Sequence, residues 1–173
     1  MEVLKNLLST NTATGHVEWI GFSSASRAVI ETPQEIRIVT GGIAGDHNCR
    51  PQRASKRQVT LIQAEHIAVV EAMLGGKNIA PSSLRRNFVV SGINLAALKH
   101  QRFRIGTAVL EGSGDCPPCS RMEENLGPGG YAAMLSHGGI TAIVLSEGIV
   151  CLGDTVNAII STEISTDSSA SWT

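Results

Sequence analysis

The stretch GITAIVLSEGIVCLGDTVNAII, residues 139–160, decides the fold class of this chain. It contains three short runs rich in β-branched and aliphatic residues, Gly139–Leu145, Gly148–Leu152 and Thr155–Ile160, separated by Ser, Glu, Gly and Asp. Such runs are typical of β-strands, because branched side chains suit an extended backbone and the residues between them favour turns. The end of the domain is therefore predicted to be three consecutive strands.

The same pattern continues towards the N-terminus. Alternating or β-branched segments predict further strands over 15–21, 27–30, 35–39, 58–62, 86–90 and 104–111. Helical features are fewer, and they comprise 64–74, which Gly75-Gly76 would end, short segments at 95–98 and 131–135, and a helix after Cys119. Since regular β-α-β alternation is absent, the prediction is a mainly β fold, a β-barrel with short helical insertions.

The chain is predicted to form one domain with two flanking segments. Its 173 residues, 42% of them hydrophobic, suffice for a single buried core. We assign 1–14 as an N-terminal extension, 15–160 as the domain, and 161–173, which is rich in Ser and Thr, as a flexible C-terminal tail.

Composition argues against several classes of partner. A net charge of -1 gives no reason to expect nucleic-acid binding. No secretory signal and no continuous run of about 18 apolar residues is visible, so a cytoplasmic location without membrane association is expected. Because thiols stay reduced there, the four cysteines are expected to be free, metal-binding or catalytic before they are expected in disulfides.

The run GDCPPCSRME, residues 114–123, carries the clearest chemical signal. Cys116 and Cys119 lie three positions apart, on a segment that Pro117 and Pro118 make stiff. A cysteine that ionises is a metal ligand, a nucleophile or a sulfur carrier. The run is therefore the candidate functional segment.

A helix is predicted to begin directly after this run. Ser120 and Glu123 fit a capping box, with Ser120 at the N-cap and Cys119 just ahead of it. The positive end of the helix dipole, with Arg121 nearby, would favour the thiolate form of Cys119. Cys119 is therefore the candidate catalytic and metal-binding residue, and Cys116 is a secondary candidate, either a resolving thiol or a neighbouring contact.

Other readings of the cysteines stay open on the residues alone. On the residues alone, a buried cysteine that only packs in the core is as consistent with the sequence as a functional cysteine. A structural zinc site usually takes two ligand pairs, whereas Cys49 and Cys151 are isolated in sequence. A thioredoxin-like redox pair is disfavoured, because strand-like segments rather than a β-α-β unit follow Cys116.

Three further constellations admit a functional and a structural reading. Gly41–Asp46 could cradle a phosphate, but a turn between strands is favoured. His47 and His66 are candidate proton donors, although a lone histidine is more often a hydrogen-bonded structural residue. The basic cluster could attract an anionic cofactor or a redox partner, but a solvated loop is favoured; its members are Arg50, Arg53, Lys56 and Arg57.

A set of ordered motifs resembles one known family. From the N-terminus the motifs are Gly42–Asp46, Arg57–Gln63 with Glu65-His66, Leu84–Val90, Gly92–Leu95, Ile105-Gly106, Pro118-Cys119, Gly138–Ile140 and Gly148–Asp154. Together they resemble the MOSC domain, which is named after the C-terminal domain of molybdenum-cofactor sulfurase. The resemblance spans residues 15–156, and it implies the same β-barrel fold that the strand pattern predicts.

The resemblance also implies chemistry at sulfur and molybdenum. Cys119 matches the cysteine that ligates molybdenum in relatives that reduce N-hydroxylated compounds, and other MOSC domains are thought to carry sulfur as a cysteine persulfide. The Arg-x-Asn motif of the relatives matches Arg85-Arg86-Asn87, so Arg85 and Asn87, with Arg86 as a substitute, are expected to hold the molybdenum cofactor (molybdopterin). A non-catalytic carrier of sulfur or cofactor is the alternative function.

The chain departs from this family pattern in two respects. The hydroxyl residues that hold the cofactor phosphate in the relatives fall near Ala64-Glu65-His66, where this chain has no Ser or Thr. No electron-transfer domain or flavin motif is present, so a reductase acting on a small-molecule substrate would need an external electron-transfer protein, and a carrier would need a sulfur donor or acceptor protein. Pyridoxal phosphate, also associated with the broader family, is not expected, because neither Lys56 nor Lys77 has a recognisable Schiff-base setting.

Overall fold

The computed structural model describes residues 2–8 and 10–160, and the predicted flexible tail at 161–173 lies outside these described residues. The strands are β1 (Thr14–Ile20), β2 (Glu35–Val39), β3 (Gly42–Ile43), β4 (Val59–Gln63), β5 (Phe88–Ser91), β6 (Arg102–Ile105), β7 (Ala108–Asp115), β8 (Ile140–Ser146), β9 (Gly148–Cys151) and β10 (Thr155–Ala158). The helices are α1 (Glu2–Leu8), α2 (Ala64–Met73), α3 (Pro81–Leu84), α4 (Ser120–Leu126) and α5 (Gly130–Met134), with a 3-10 helix at Leu95–Leu98.

Seven strands form a closed barrel in the order β1-β10-β6-β7-β8-β4-β5, and β5 pairs with β1 to close it. The strand pairs of the barrel are antiparallel except β4 and β5, which run parallel and are joined through α2 and α3. A parallel pair requires such a crossover, because its strands begin at the same end of the sheet. The prediction of a mainly β barrel with short helical insertions is confirmed.

A three-stranded sheet, ordered β3-β2-β9, packs beside the barrel. Its buried side chains Ile36, Ile38 and Val150 belong to the same apolar cluster as the barrel interior. The two sheets therefore share one apolar core.

A second apolar cluster lies on the outer face of the barrel and positions the helices. Leu61 and Phe88 face the barrel interior, whereas their neighbours Ile62 and Val89 belong to the outer cluster, because alternate residues of a strand point to opposite faces. Met122 of α4 packs into this outer cluster. The packing holds the start of α4, and with it the cysteine run, beside β4 and β5.

Two of the predicted strands differ in the structure. Residues 27–30 form a loop, because Arg27 has the left-handed backbone conformation (φ 62°) that interrupts an extended strand. Residues 104–111 are divided between β6 and β7 by a turn at Gly106 (φ 54°). A Cβ atom at Gly106 would lie 2.4 Å from the carbonyl oxygen of Ile149, so the turn requires glycine.

None of the described helices has the length and apolar composition that spanning a bilayer requires.

Candidate functional site

The cysteine run separates its two thiols. Strand β7 leads into the run, and the backbone N–H of Cys116 donates to the carbonyl oxygen of Gly139 at 2.9 Å. The Cys116 residue is 1% exposed, whereas Cys119 is exposed to solvent. Pro118 between them is buried. Of the two thiols, Cys119 is therefore the one that a ligand can reach.

The helix after the run begins one residue earlier than predicted. Cys119 is itself the N-cap residue of α4, and Ser120 is the first helical residue, so the predicted capping box is wrong. The Glu123 carboxylate instead accepts hydrogen bonds from the backbone N–H groups of Tyr131 and Gly129, both at 2.8 Å. These two donors lower the pKa of Glu123, and they join α4 to the start of α5.

Arg86 ties the cysteine run to the barrel. Arg86 is only 4% exposed, and its guanidinium donates hydrogen bonds to three backbone carbonyl oxygens. Nε donates to Gly138 at 2.8 Å, Nη1 to Leu84 at 3.0 Å and Nη2 to Cys116 at 3.3 Å. Burial lowers the pKa of Arg86. Arg86 was predicted as a substitute cofactor ligand, and the structure gives its guanidinium a structural task as well.

Gly138 makes the close approach of these segments possible. A Cβ atom at Gly138 would lie 2.1 Å from the carbonyl oxygen of Cys116, which is less than any real Cβ contact. The turn before β8 can therefore pass the cysteine run only because position 138 has no side chain.

Arg85 lies on the pocket side of the same segment. Its backbone adopts the left-handed conformation (φ 56°) at the end of α3. The Nη1 atom donates to the carbonyl oxygen of Ala28 at 3.3 Å, in the loop that replaces the predicted strand. Burial, and next the like charge of Arg121, lower the pKa of Arg85.

Asn87 links three strands of the barrel. Its Oδ1 atom accepts from the backbone N–H and the hydroxyl of Thr60, each at 3.0 Å. Its Nδ2 atom donates to the carbonyl oxygen of Gly21 at 3.2 Å. Because an amide has two N–H groups, one remains for a ligand.

All four predicted site residues line one open pocket of about 740 Å³, which brings together Cys119, Arg85, Arg86 and Asn87. Seven cationic side chains line this pocket: Arg50, Arg53, Lys56, Arg57, Arg85, Arg86 and Arg121. One carboxylate lines it, that of Asp46, whose oxygens accept from the backbone N–H groups of Ser23 and Asn48. The pocket is therefore strongly positive in a chain whose net charge is close to zero.

The structure separates the remaining candidates. His47 lines the pocket, with Nδ1 2.9 Å from the carbonyl oxygen of Ser23. His66 does not line the pocket, and its ring lies edge-on to that of His137, with 5.2 Å between the centroids. In the glycine segment, Gly41 lies in the turn between β2 and β3, Gly42-Ile43 form β3, and Asp46 lines the pocket.

Sequence reasoning missed the hydroxyl groups of the site. The resemblance places the hydroxyl residues near Ala64-Glu65-His66, but these residues begin α2 and do not line the pocket. The hydroxyl residues that do line the pocket are Ser23, Ser26, Ser55 and Thr60. No local sequence pattern marks Thr60, because its place beside Asn87 follows from the pairing of β4 with β5 in the folded chain.

Within the part of the chain that the structure describes, no three His, Cys, Asp or Glu side chains converge as a metal-binding group. In the pocket, the exposed thiol of Cys119 is a soft donor that lies beside cations.

Comparisons with known proteins agree with this architecture. The fold is similar to that of the YuaD protein from Bacillus subtilis, with a TM-score of 0.73 and 22% sequence identity over 84% of this chain and 95% of that one. It is also similar to YiiM from Escherichia coli (TM-score 0.64, 16% identity, 83% of this chain and 69% of that one). YiiM from Geobacillus stearothermophilus gives a TM-score of 0.63 at 16% identity, over 84% of this chain and 75% of that one. At such identities the likeness concerns the fold alone.

A comparison with curated proteins finds no match. The model of the MOSC domain family matches residues 40–157, which is more than half of the chain and includes the cysteine run and the Arg-x-Asn motif. The chain therefore belongs to the MOSC domain family, which is associated with functions of sulfur and the molybdenum cofactor.

Proposed function

We propose that this protein binds the molybdenum cofactor through Cys119 and, with an external electron donor, reduces N-hydroxylated compounds. One observation carries the proposal: the exposed thiol of Cys119 lines the same cationic pocket as Arg85 and Asn87. The reaction consumes two electrons and two protons, converting R–NH–OH to R–NH₂ and water. The electrons come from a partner protein.

The donor set of the pocket fits this cofactor. A thiolate is a soft ligand of the kind that molybdenum accepts, and the planar guanidinium of Arg85 matches a phosphate. The free N–H of Asn87 is a donor for the edge of a pterin, whereas the hydroxyl of Thr60 already donates to Asn87. When bound, the cofactor would supply a metal centre that takes up electrons and passes them to the substrate.

His47 is the pocket residue suited to supply a proton. Its Nδ1–H group donates a hydrogen bond to the carbonyl oxygen of Ser23 at 2.9 Å. A carboxylate oxygen of Asp46 lies 3.6 Å from the same nitrogen. Since these contacts hold one ring nitrogen, Nε2 remains for proton exchange with a substrate. In our proposal His47 is therefore the general acid: Nε2 takes a proton from solvent and gives it to the departing hydroxyl group of the substrate.

The second candidate function is a sulfur carrier, which the exposure of Cys119 favours. The Cys119 thiolate would attack the outer sulfur of a donor persulfide. The S–S bond of the donor then breaks, a persulfide forms on Cys119, and the donor thiolate leaves, so the exchange involves no net oxidation. Such a protein would deliver sulfur to an acceptor protein without turnover of a small molecule.

Metal and pterin analysis of protein made in a cofactor-competent host tests the first proposal. We expect wild type to contain molybdenum and pterin in near-stoichiometric molar ratio to the protein, and Cys119→Ser to lose the molybdenum. Cys151→Ser is the matched control, because Cys151 does not line the pocket. Full molybdenum content in Cys119→Ser would contradict the ligand assignment. Cyanide-releasable sulfur that depends on Cys119, without molybdenum, would support the carrier function instead.

A further inference from the structure

The loop of residues 50–57, here called the basic arm, forms one wall of the pocket. Its cationic side chains, Arg50, Arg53, Lys56 and Arg57, line the pocket and are exposed to solvent. The sequence favoured a solvated loop for these residues. The loop is solvated, but its charges face the same space as the Cys119 thiol.

The basic arm is attached at both ends. The backbone N–H of Arg50 donates to the carbonyl oxygen of Gly41 at 3.3 Å, and a Cβ atom at Gly41 would lie 2.6 Å from Pro51. At the other end the hydroxyl of Ser113 donates to the carbonyl oxygen of Lys56. Directly after the arm, the backbone N–H of Gln58 donates to the carbonyl oxygen of Ala142 at 3.1 Å. Contacts to β7 and β8 therefore hold the arm on the rim.

Among the described residues, no carboxylate lies within ion-pair distance of a cation of the basic arm. The ion pairs of these residues join Arg27 to Glu124, Lys99 to Asp115 and Arg102 to Glu111, and Asp46 lies 3.6 Å from the Nδ1 atom of His47. The Arg50 guanidinium donates to the carbonyl oxygens of His47 and Cys49, which are neutral acceptors. Four cations on one wall, with no ion pair in the described part of the chain, are more than one phosphate group requires.

The pocket thus has two cationic walls. On the wall that carries Cys119, Arg121 lies in the first turn of α4 and Arg85 follows α3. The two helices are joined there, because the Nδ2 atom of Asn125 donates to the carbonyl oxygen of Ser83 at 2.7 Å. The basic arm supplies the other wall. If the cofactor phosphate occupies the first wall, the second remains for a different anion.

We infer that the small molecule brought to Cys119 is itself an anion, a carboxylate, phosphate or sulfonate, and that the basic arm binds its charged group. This inference rests on the proposed function only in naming the pocket as the reaction site. An uncompensated cationic wall raises the local concentration of anions, and salt weakens that effect where the charges are exposed.

Alkylation of Cys119 in the cofactor-free protein tests the inference. Iodoacetate and iodoacetamide react alike: the thiolate attacks the CH₂ carbon, a C–S bond forms, and iodide leaves. They differ in charge, because only iodoacetate is an anion. The rate with iodoacetate is divided by the rate with iodoacetamide, and this ratio is divided by the same ratio for a peptide with a free thiol. The normalised ratio measures how strongly the pocket attracts an anion to Cys119. Rates are followed by mass spectrometry on the peptide that contains Cys119. We expect a normalised ratio of about 10 at low salt, falling towards 1 at high salt.

Two double variants locate the effect. Arg53→Gln/Lys56→Gln removes two charges from the arm, and Arg102→Gln/Arg104→Gln removes two exposed charges from β6, outside the pocket. The arm variant is expected to lose most of the normalised ratio, and the β6 variant to keep it. A wild-type ratio of about 1, or equal losses in both variants, would overturn the inference.

Two further measurements distinguish whether the basic arm binds the cofactor phosphate or the charged group of the substrate. If Arg53→Gln/Lys56→Gln loses pterin from protein made in a cofactor-competent host, the arm holds the cofactor phosphate, and the substrate inference is wrong. With cofactor bound, a carboxylate-bearing N-hydroxylated compound should have a KM several-fold below that of its primary amide. The arm variant should raise KM for the acid only. Failure of the proposed function would appear separately, as unchanged molybdenum content in Cys119→Ser.

Discussion

The Nη2 atom of Arg86 lies 3.3 Å from the carbonyl oxygen of Cys116, so a buried cation holds the segment that presents the Cys119 thiol. The same guanidinium reaches Gly138 and Leu84, which belong to two other segments. Its hydrogen bonds therefore fix where the cysteine run meets the barrel, and the position of Cys119 depends on a residue that the sequence suggested only as a substitute ligand.

Removing this guanidinium should destabilise the protein even without cofactor. Arg86→Met leaves three buried carbonyl oxygens without donors, and we expect the unfolding free energy to fall by about 3 kcal/mol in urea titrations. Arg104→Met, at an exposed position of β6, should change the same quantity by no more than about 0.5 kcal/mol. Equal stability of Arg86→Met and wild type would show that the three hydrogen bonds do not hold the run.

The link between α4 and α5 should depend on acid. Two backbone N–H donors lower the pKa of Glu123 in the folded protein, relative to an unfolded value of about 4.3. The carboxylate therefore adds stability that is fully present above that unfolded value and is lost as pH falls through the folded pKa. Glu123→Gln should weaken the acid dependence of the unfolding free energy below about pH 5.

The neighbouring Glu124 provides the control for this prediction. Its carboxylate lies 3.9 Å from the exposed guanidinium of Arg27, an arrangement that contributes little. Glu124→Gln should keep the acid dependence of wild type. If both variants have the same slope of unfolding free energy against pH, the Glu123 contacts are not the cause.

Much of the fold could be predicted because strand patterns are local. The three final runs, the helix at 64–74 and its end at Gly75-Gly76 follow from neighbouring residues, and the structure contains them. The division of 104–111 depended on a contact between Gly106 and Ile149, which are distant in sequence. No local pattern carries such a contact.

The site shows the same limit. The prediction that a helix begins beside Cys119 is confirmed, although the helix begins one residue earlier than the capping box suggested. The place of the basic arm could not be predicted, because it is held by Ser113 of β7 and by Gly41 of the turn between β2 and β3. Sequence spacing indicates which residues carry chemistry, while long-range packing decides which of them share a pocket.

Asn87 should prove to be a structural residue as well as a pocket residue. Its Oδ1 atom accepts from both donors of Thr60, so Thr60→Val should lower the unfolding free energy of cofactor-free protein by about 1–2 kcal/mol. A double-mutant cycle with Asn87→Ala should give a coupling energy of about 1 kcal/mol.

Asn157→Ala is the comparison for this cycle. It removes a similar bond to Thr14, but at an exposed position, and should cost about 0.5 kcal/mol or less. Additive effects of Thr60→Val and Asn87→Ala would mean that the two side chains do not act together, and that Asn87 is available entirely to a ligand.

The two cysteines of the run should differ in reactivity by several orders of magnitude. In the native protein Cys119 is exposed, whereas Cys116 is 1% exposed and its backbone is bonded to Gly139. Iodoacetamide should therefore modify Cys119 at once and Cys116 only through unfolding or local opening of the run. Mass spectrometry of wild type, with Cys119→Ser to assign the Cys116 signal, measures both rates.

The same experiment tests whether Cys116 can act as a resolving thiol. A disulfide with Cys119 under mild oxidation should form no faster than Cys116 becomes accessible to iodoacetamide, because exchange requires contact between the sulfur atoms. Rapid disulfide formation in native protein would contradict the buried position of Cys116 and would favour a redox role for the pair. Slow formation leaves Cys119 as the single reactive thiol of the pocket, which a molybdenum ligand and a sulfur carrier both require.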